Sequence, residues 1–130
     1  MTSPRTTVFI IDDEASIRTA LVRLCHSAGF VGRSFESVED FLTANLADEG
    51  ACVVADIRMP GDSGLGLPSR LRALSRKLPV IFMTAFDTPK TRAEARLAGA
   101  AGYFRKPVDD RALLDAIEWS LGQDSIPTEL

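Results

Sequence analysis

The sequence predicts an α/β fold: a doubly wound five-stranded parallel sheet flanked by five helices, in a single domain. Three observations carry that reading. Short continuous apolar runs recur along the chain and read as strands buried on both faces. Each is followed by a stretch with helical spacing, and strict alternation of strand and helix implies right-handed crossovers with helices on both faces. Several runs end in chemically useful residues, so a parallel arrangement gathers those residues along one edge of the sheet.

The first run, Thr7-Val8-Phe9-Ile10-Ile11, ends in Asp12-Asp13-Glu14. From Ala15 the period lengthens, with Ile17, Ala20, Leu21, Leu24 and Ala28 at three- and four-residue steps until Gly29 stops the helix. His26 falls off that stripe; it is expected in solvent, with no second histidine or nearby cysteine to make it a metal ligand. Phe30 to Phe35 forms a short second strand. Ser37-Val38-Glu39-Asp40 reads as a variant capping box that opens a helix with Val38, Phe41, Leu42 and Leu46 on one face.

Asp48-Glu49-Gly50 punctuates the approach to Ala51-Cys52-Val53-Val54-Ala55-Asp56. This third run carries a carboxylate at its end, and Pro60-Gly61 breaks the chain soon after. A loop from Gly61 to Gly64 leads to a helix through Leu67, Leu71 and Leu74. Pro68 must lie in its first turn, since an interior proline costs about 3 kcal/mol. Val80-Ile81-Phe82-Met83 is the fourth strand and ends at Thr84-Ala85.

Pro89 starts a helix that runs to Gly99. Its apolar positions, Ala93, Leu97 and Ala98, are small or few among Lys90, Arg92, Glu94 and Arg96, so it is expected to be the most mobile helix. Gly102-Tyr103-Phe104-Arg105 is the fifth strand, ending at Lys106-Pro107. The last helix starts near Asp109 and buries Leu113, Leu114, Ile117 and Leu121. Trp119 lies opposite that stripe, either over the terminal tail or as an interface anchor. Residues 1–121 are expected to form the domain and 122–130 a C-terminal tail or the start of a linker.

Composition narrows the function classes. A net charge of −3, with no basic patch or stripe, argues against a nucleic-acid surface. No apolar run approaches a membrane span and the N-terminus lacks a signal peptide's pattern, so the chain is expected in the cytoplasm. Cys25 and Cys52 sit inside apolar patterns and are expected as buried free thiols.

Asp12, Asp13, Asp56, Thr84 and Lys106 converge at the strand ends. Carboxylates about 4 Å apart repel by roughly 4 kcal/mol per pair at an effective dielectric of 20, so a positive charge must offset them. Mg²⁺ suits this, being small and hard and able to keep waters or a phosphate oxygen beside a few carboxylates. A lysine opposite the acids and a threonine hydroxyl with a nearby backbone N–H can hold further phosphate oxygens. Phosphoryl transfer needs mainly positioning and charge stabilisation, so a carboxylate nucleophile with these neighbours suffices.

Four motifs in order, Ile10-Ile11-Asp12-Asp13, Asp56-Ile57-Arg58-Met59-Pro60, Thr84-Ala85 and Gly102-Tyr103-Phe104-Arg105-Lys106-Pro107, give a strong resemblance. Over residues 6–121 the chain resembles a receiver domain of bacterial two-component response regulators, whose fold is flavodoxin-like. The resemblance implies that Asp56 accepts a phosphoryl group from a sensor histidine kinase or phosphotransfer protein. It makes Asp13 and Asp56 direct Mg²⁺ ligands, with Asp12 acting largely through water and the Arg58 carbonyl completing the set. Thr84, the Ala85 amide and Lys106 would hold the phosphoryl oxygens, Tyr103 matches the switch aromatic, and Lys106-Pro107 matches a peptide bond that is usually cis. Activation would be a population shift in which Thr84 moves toward the phosphoryl group, Tyr103 swings inward, and the surface of helix four, strand five and helix five changes. Such a domain is not a conventional enzyme, but it catalyses its own phosphotransfer and autodephosphorylation.

The motifs most resemble the branch carrying a helix-turn-helix output, which leaves two readings of a chain of this length: a single-domain regulator acting through an output protein, or a piece of a longer regulator missing its output domain. Val108 replaces the phenylalanine common after Lys-Pro, Pro68 is unusual, and the polar helix at 89–98 implies a monomer or a weak phosphorylation-dependent dimer. Arg58 and Phe86 flank the site where they would influence attacking water. Two other classes stay open. A Mg²⁺-dependent phosphohydrolase would also use an aspartyl phosphate, although its acids usually stand as Asp-x-Asp after the first strand. A phosphorylation-independent interaction module predicts a missing site residue, and none is missing.

Overall fold

The computed structural model describes residues 6–44, 46, 50–59 and 62–122. The five apolar runs form β1 (Thr7–Ile11), β2 (Val31–Phe35), β3 (Ala51–Asp56), β4 (Val80–Thr84) and β5 (Gly102–Arg105). The helices are α1 (Ala15–Ser27), α2 (Val38–Thr43), α3 (Leu67–Ala73), α4 (Pro89–Ala98) and α5 (Asp110–Gly122). The strands pair in parallel in the order β2-β1-β3-β4-β5. Strand order therefore reverses direction at β1, and the crevice beyond the C-terminal ends of β1 and β3 is the topological switch point where open α/β sheets bind ligands.

Alternate residues of the central strands feed two cores. Phe9, Ile11, Val53, Ala55 and Phe82 face α2, α3 and α4, where Val38, Phe41, Leu67, Leu71 and Ala95 cover them. Val8, Ile10, Cys52, Val54, Ile81 and Met83 face α1 and α5, where Cys25, Leu113 and Ile117 cover them. With both faces covered, the strands read as continuous apolar runs. Cys25 and Cys52 are buried free thiols, pushed up to about 11 and about 12 respectively by burial, and so are held as thiols.

Chain punctuation works largely as the sequence implies. Ser37 caps α2 by accepting the Asp40 N–H at 3.0 Å, Gly29 and Gly99 adopt left-handed φ just past α1 and α4, and Pro68 lies in the first turn of α3. Asp109 Oδ2 accepts the Ala112 N–H at 2.9 Å at the start of α5. The Lys106-Pro107 peptide is cis. His26 and Trp119 are exposed.

Four local expectations change. The buried side chain of α1 is Cys25, flanked by partly buried Leu21, Val22 and Leu24, while Ala20 and Ala28 are exposed. The segment after β3 is more ordered than a plain loop: Arg58–Met59 pairs antiparallel with Asp62–Ser63, and a 3-10 turn over Gly64–Gly66 leads into α3. Helix α3 ends at Ala73, so Leu74 is exposed beyond it and Ser75 takes a left-handed φ of 58°. Finally, α4 turns Thr91 and Ala95 inward, with Ala98 partly buried, and leaves Leu97 87 % exposed. Thr91 tolerates burial because its hydroxyl bonds that of Thr88 at 2.9 Å. The punctuation expected at Asp48-Glu49, the Pro60-Gly61 break and the tail from 123 onward lie outside the described residues.

Candidate functional site

The register of the central strands builds the site. Ile11 lies opposite Ala55, so Asp12 follows β1 beside Asp56, and Asp56 lies opposite Met83, one step before Thr84. Lys106 follows β5, where its N–H donates to the Thr84 carbonyl at 2.8 Å. One edge of the sheet thus carries Asp12, Asp13, Asp56, Thr84 and Lys106, as the sequence implied.

Asp12 and Asp56 are buried and Asp13 is exposed, and oxygens of the three carboxylates all lie within 4.8 Å of one another. Lys106 supplies the balancing charge. Its Nζ donates to Asp12 Oδ2 at 2.8 Å and Asp56 Oδ2 at 3.2 Å, with Glu14 Oε1 at 3.8 Å. Burial alone would depress the lysine's pKa, but the hydrogen bonds and charges of Asp12 and Asp56 outweigh it and raise the pKa above its ordinary value. Burial raises the Asp56 pKa and the Asp12 charge adds to this, against the opposing pull of Lys106 and the Arg58 N–H. The cluster can hold a metal ion: three hard oxygen donors sit together, two at a fixed edge of the sheet and one open to solvent.

Backbone contacts fix the carboxylates. Asp12 Oδ1 accepts the Glu14 N–H at 2.9 Å, and Arg58 N–H donates to Asp56 Oδ1 at 3.3 Å. Thr84 is buried, its Oγ1 accepting the Phe86 N–H at 3.0 Å, and Ala85 beside it is exposed. At the rim the Arg58 guanidinium lies 4.4 Å from the centre of the Phe86 ring, joining the loops after β3 and β4. Tyr103, partly buried on β5, donates its hydroxyl to Asp87 Oδ1 at 3.0 Å.

Three residues that support the site were not singled out by sequence. Arg18 Nη1 donates to the Asp12 carbonyl at 2.8 Å and its Nη2 lies 3.7 Å from Glu36, so α1 braces the acid loop from behind. Gly64 packs its backbone against the Asp56 carbonyl, where a Cβ would collide, and its N–H donates to the Ile57 carbonyl at 2.9 Å. The Ser63-Gly64 pair after a strand is the signal that could have marked this close approach. Asp87 bonds Tyr103, 16 residues away, and no short spacing announces that pair.

Comparison with known proteins agrees with this geometry. A family model described as the response regulator receiver domain matches residues 8–118. The chain is similar to the transcriptional regulatory protein TdiR of Thauera aromatica, 41 % identical over 120 residues covering 92 % of this chain and 53 % of that protein. It is also similar to the transcriptional regulatory protein FixJ of Azorhizobium caulinodans, 37 % identical over 118 residues covering 91 % and 56 %. The solved structure of the response regulator StyR superposes with a TM-score of 0.84 at 38 % identity, over 94 % of this chain and 62 % of that one. The chain spans about half the length of the curated relatives it matches. With the sheet order, the acid cluster and a match covering most of its length, the chain belongs to the response regulator receiver domain family.

Proposed function

We propose that this chain is a phosphorylation-controlled signalling switch in which Asp56 accepts a phosphoryl group from a sensor histidine kinase or phosphotransfer protein. The observation that carries the reading is the Lys106 ammonium shared between the buried carboxylates of Asp12 and Asp56 at the sheet's switch point.

One Asp56 oxygen forms the new bond to phosphorus while the bond from phosphorus to the donor's leaving atom breaks and its electron pair departs with the donor. Lys106 gives up its longer contact with Asp56 to a phosphoryl oxygen, while its shorter contact with Asp12 keeps it anchored. The Thr84 hydroxyl and Ala85 N–H take other phosphoryl oxygens. Asp13 and Asp56, with Asp12 through water and the Arg58 carbonyl, would hold Mg²⁺. That ion supplies charge neutralisation for the carboxylates and the transferring group.

In the activated state Thr84 turns toward the phosphoryl group, and Tyr103 moves into the space beside it, changing the surface of α4, β5 and α5. The switch is residues 1–121, as the sequence suggests, with α5 running one residue further to Gly122, and the remainder to 130 is a tail or linker. The readout is an output domain or output protein that controls transcription, in keeping with the names of the relatives, and the setting is the cytoplasm. No helix among the described residues is long and apolar enough to cross a membrane.

Intact mass after incubation with acetyl phosphate tests this. The expected result is a gain of one phosphoryl group that requires Mg²⁺, is abolished by EDTA and is absent in Asp56→Asn. Undiminished labelling of Asp56→Asn would move the acceptor elsewhere, and steady phosphate release without labelled protein would favour a hydrolase.

A further inference from the structure

Asp87 has no part in the chemistry above, yet it joins three elements. A single oxygen, Oδ1, accepts hydrogen bonds from the Tyr103 hydroxyl of β5 at 3.0 Å and from Arg92 Nε of α4 at 2.8 Å. Asp87 itself lies in the loop after β4, two residues beyond Ala85. Against the cost of desolvation, the hydrogen bonds from Tyr103 and Arg92 and the charges of Arg92 and Arg105 hold its carboxyl below the ordinary carboxylate range. Burial and the Asp87 carboxylate both push the Tyr103 hydroxyl up, so the phenol stays protonated as a donor.

We propose that Asp87, braced by Arg92, is a latch that holds Tyr103 in its present position and releases it when the Thr84–Ala85 segment engages a phosphoryl group. This deepens the switch reading and rests on it, adding the part that sets the resting population. The mechanical link is short. Phe86 alone separates Ala85 from Asp87, and the Phe86 N–H is already bonded to Thr84 Oγ1 at 3.0 Å. A turn of Thr84 or Ala85 toward Asp56 therefore pulls on the residue that carries the latch. An exposed Asp–Arg pair alone contributes little. Here the same carboxylate oxygen also fixes the orientation of a half-buried ring, so its loss frees an aromatic side chain rather than a surface charge.

Release also reaches the surface. Arg92 and Tyr103 line a groove of about 250 Å³ between α4 and β5, together with Ala95, Arg96 and Ala100. Breaking the Asp87 contacts moves a cation on one wall and an aromatic ring on another in one step. The latch thus connects a displacement beside Asp56 to a change of shape and charge on the face presented by α4.

Tyr103 is the chain's only tyrosine, so ring labelling gives one reporter. The measurement is the nuclear Overhauser effect between the Tyr103 ring and the Thr84 methyl, which reads ring position rather than hydrogen bonding. It is made with and without Mg²⁺ and beryllofluoride as the phosphoryl mimic. In wild type the cross-peak should strengthen on adding the mimic. In Asp87→Ala it should already be stronger in the unmodified protein, corresponding to about a tenfold rise in the inward population, and Arg92→Gln should shift it the same way by less. A Tyr103 ring unmoved in unmodified Asp87→Ala, while the mimic still draws it to Thr84, would overturn the latch and leave the switch standing. Failure of wild type to take up a phosphoryl group would sink the switch reading instead, and the ring position in unmodified Asp87→Ala would still decide whether Asp87 restrains Tyr103.

Discussion

The floor of the acid site and the seam beneath α4 are built on opposite principles. Under the site, β1 and β3 are buried on both faces, every residue of β3 is buried, and Lys106 ties the ends of β1 and β3 together. At the seam, α4 buries only Thr91 and Ala95, and beside that small packed contact it is held to the neighbouring loop and β5 by hydrogen bonds between Thr88 and Thr91 and among Asp87, Arg92 and Tyr103. The buried carboxylates of Asp12 and Asp56 stay together because buried strands fix their backbone and Lys106 supplies the opposing charge. A reporting surface needs the reverse, a low cost of displacement. The chain places both within one loop of each other, joined by residues 84–88.

Substitutions sharpen this contrast, and their effects should fall in a definite order. Phe82→Ala, beneath the site in β4, should cost about 3–5 kcal/mol by urea unfolding, the usual penalty for emptying a packed aromatic site. Gly64→Ala should cost about 1–3 kcal/mol through overpacking against the Asp56 carbonyl, and should weaken Mg²⁺ binding because the carboxylate is displaced with its backbone. A Gly64→Ala protein with wild-type stability and wild-type Mg²⁺ affinity in a fluorescence titration would show that the edge does yield.

Asp56→Asn should act in the opposite direction, stabilising the unmodified protein at neutral pH, because desolvation of the buried carboxylate, with the Asp12 charge adding to it, outweighs what Lys106 returns. The sign follows from the raised pKa. Folding favours the protonated form of Asp56, so the penalty of the ionised group is fully present above its folded pKa. It fades as pH falls, and is gone below the ordinary aspartate value of 3.8. Thermal melts of the two proteins across that range should converge at the acid end. The smallest effect belongs to the seam: Leu97→Ala should change stability by no more than about 0.5 kcal/mol, since the side chain is almost wholly in solvent.

Legibility in the sequence divides along the same line. The buried strands announced themselves as unbroken apolar runs, and their parallel order then placed Asp12, Asp13, Asp56, Thr84 and Lys106 on one edge without further information. The seam was harder to read. Leu97 and Leu74 look like core residues and are exposed, whereas Thr91 looks like a surface residue and is buried, because Thr88 satisfies its hydroxyl across one helical turn. The low burial of α4 was legible from its composition, but its inward face was not. Asp87 reads as an ordinary residue before a helix start. Its partner Tyr103 is brought to it by the pairing of β4 with β5, which no local pattern encodes.

The most direct test of the division is amide hydrogen exchange read by mass spectrometry, on the unmodified protein and on the protein with Mg²⁺ and beryllofluoride. The account predicts that residues 8–11 and 52–55 exchange slowly and equally in both states, while residues 85–99 exchange early and change most on adding the mimic. Protection that changes mainly in β1 and β3, with residues 85–99 unaffected, would contradict it.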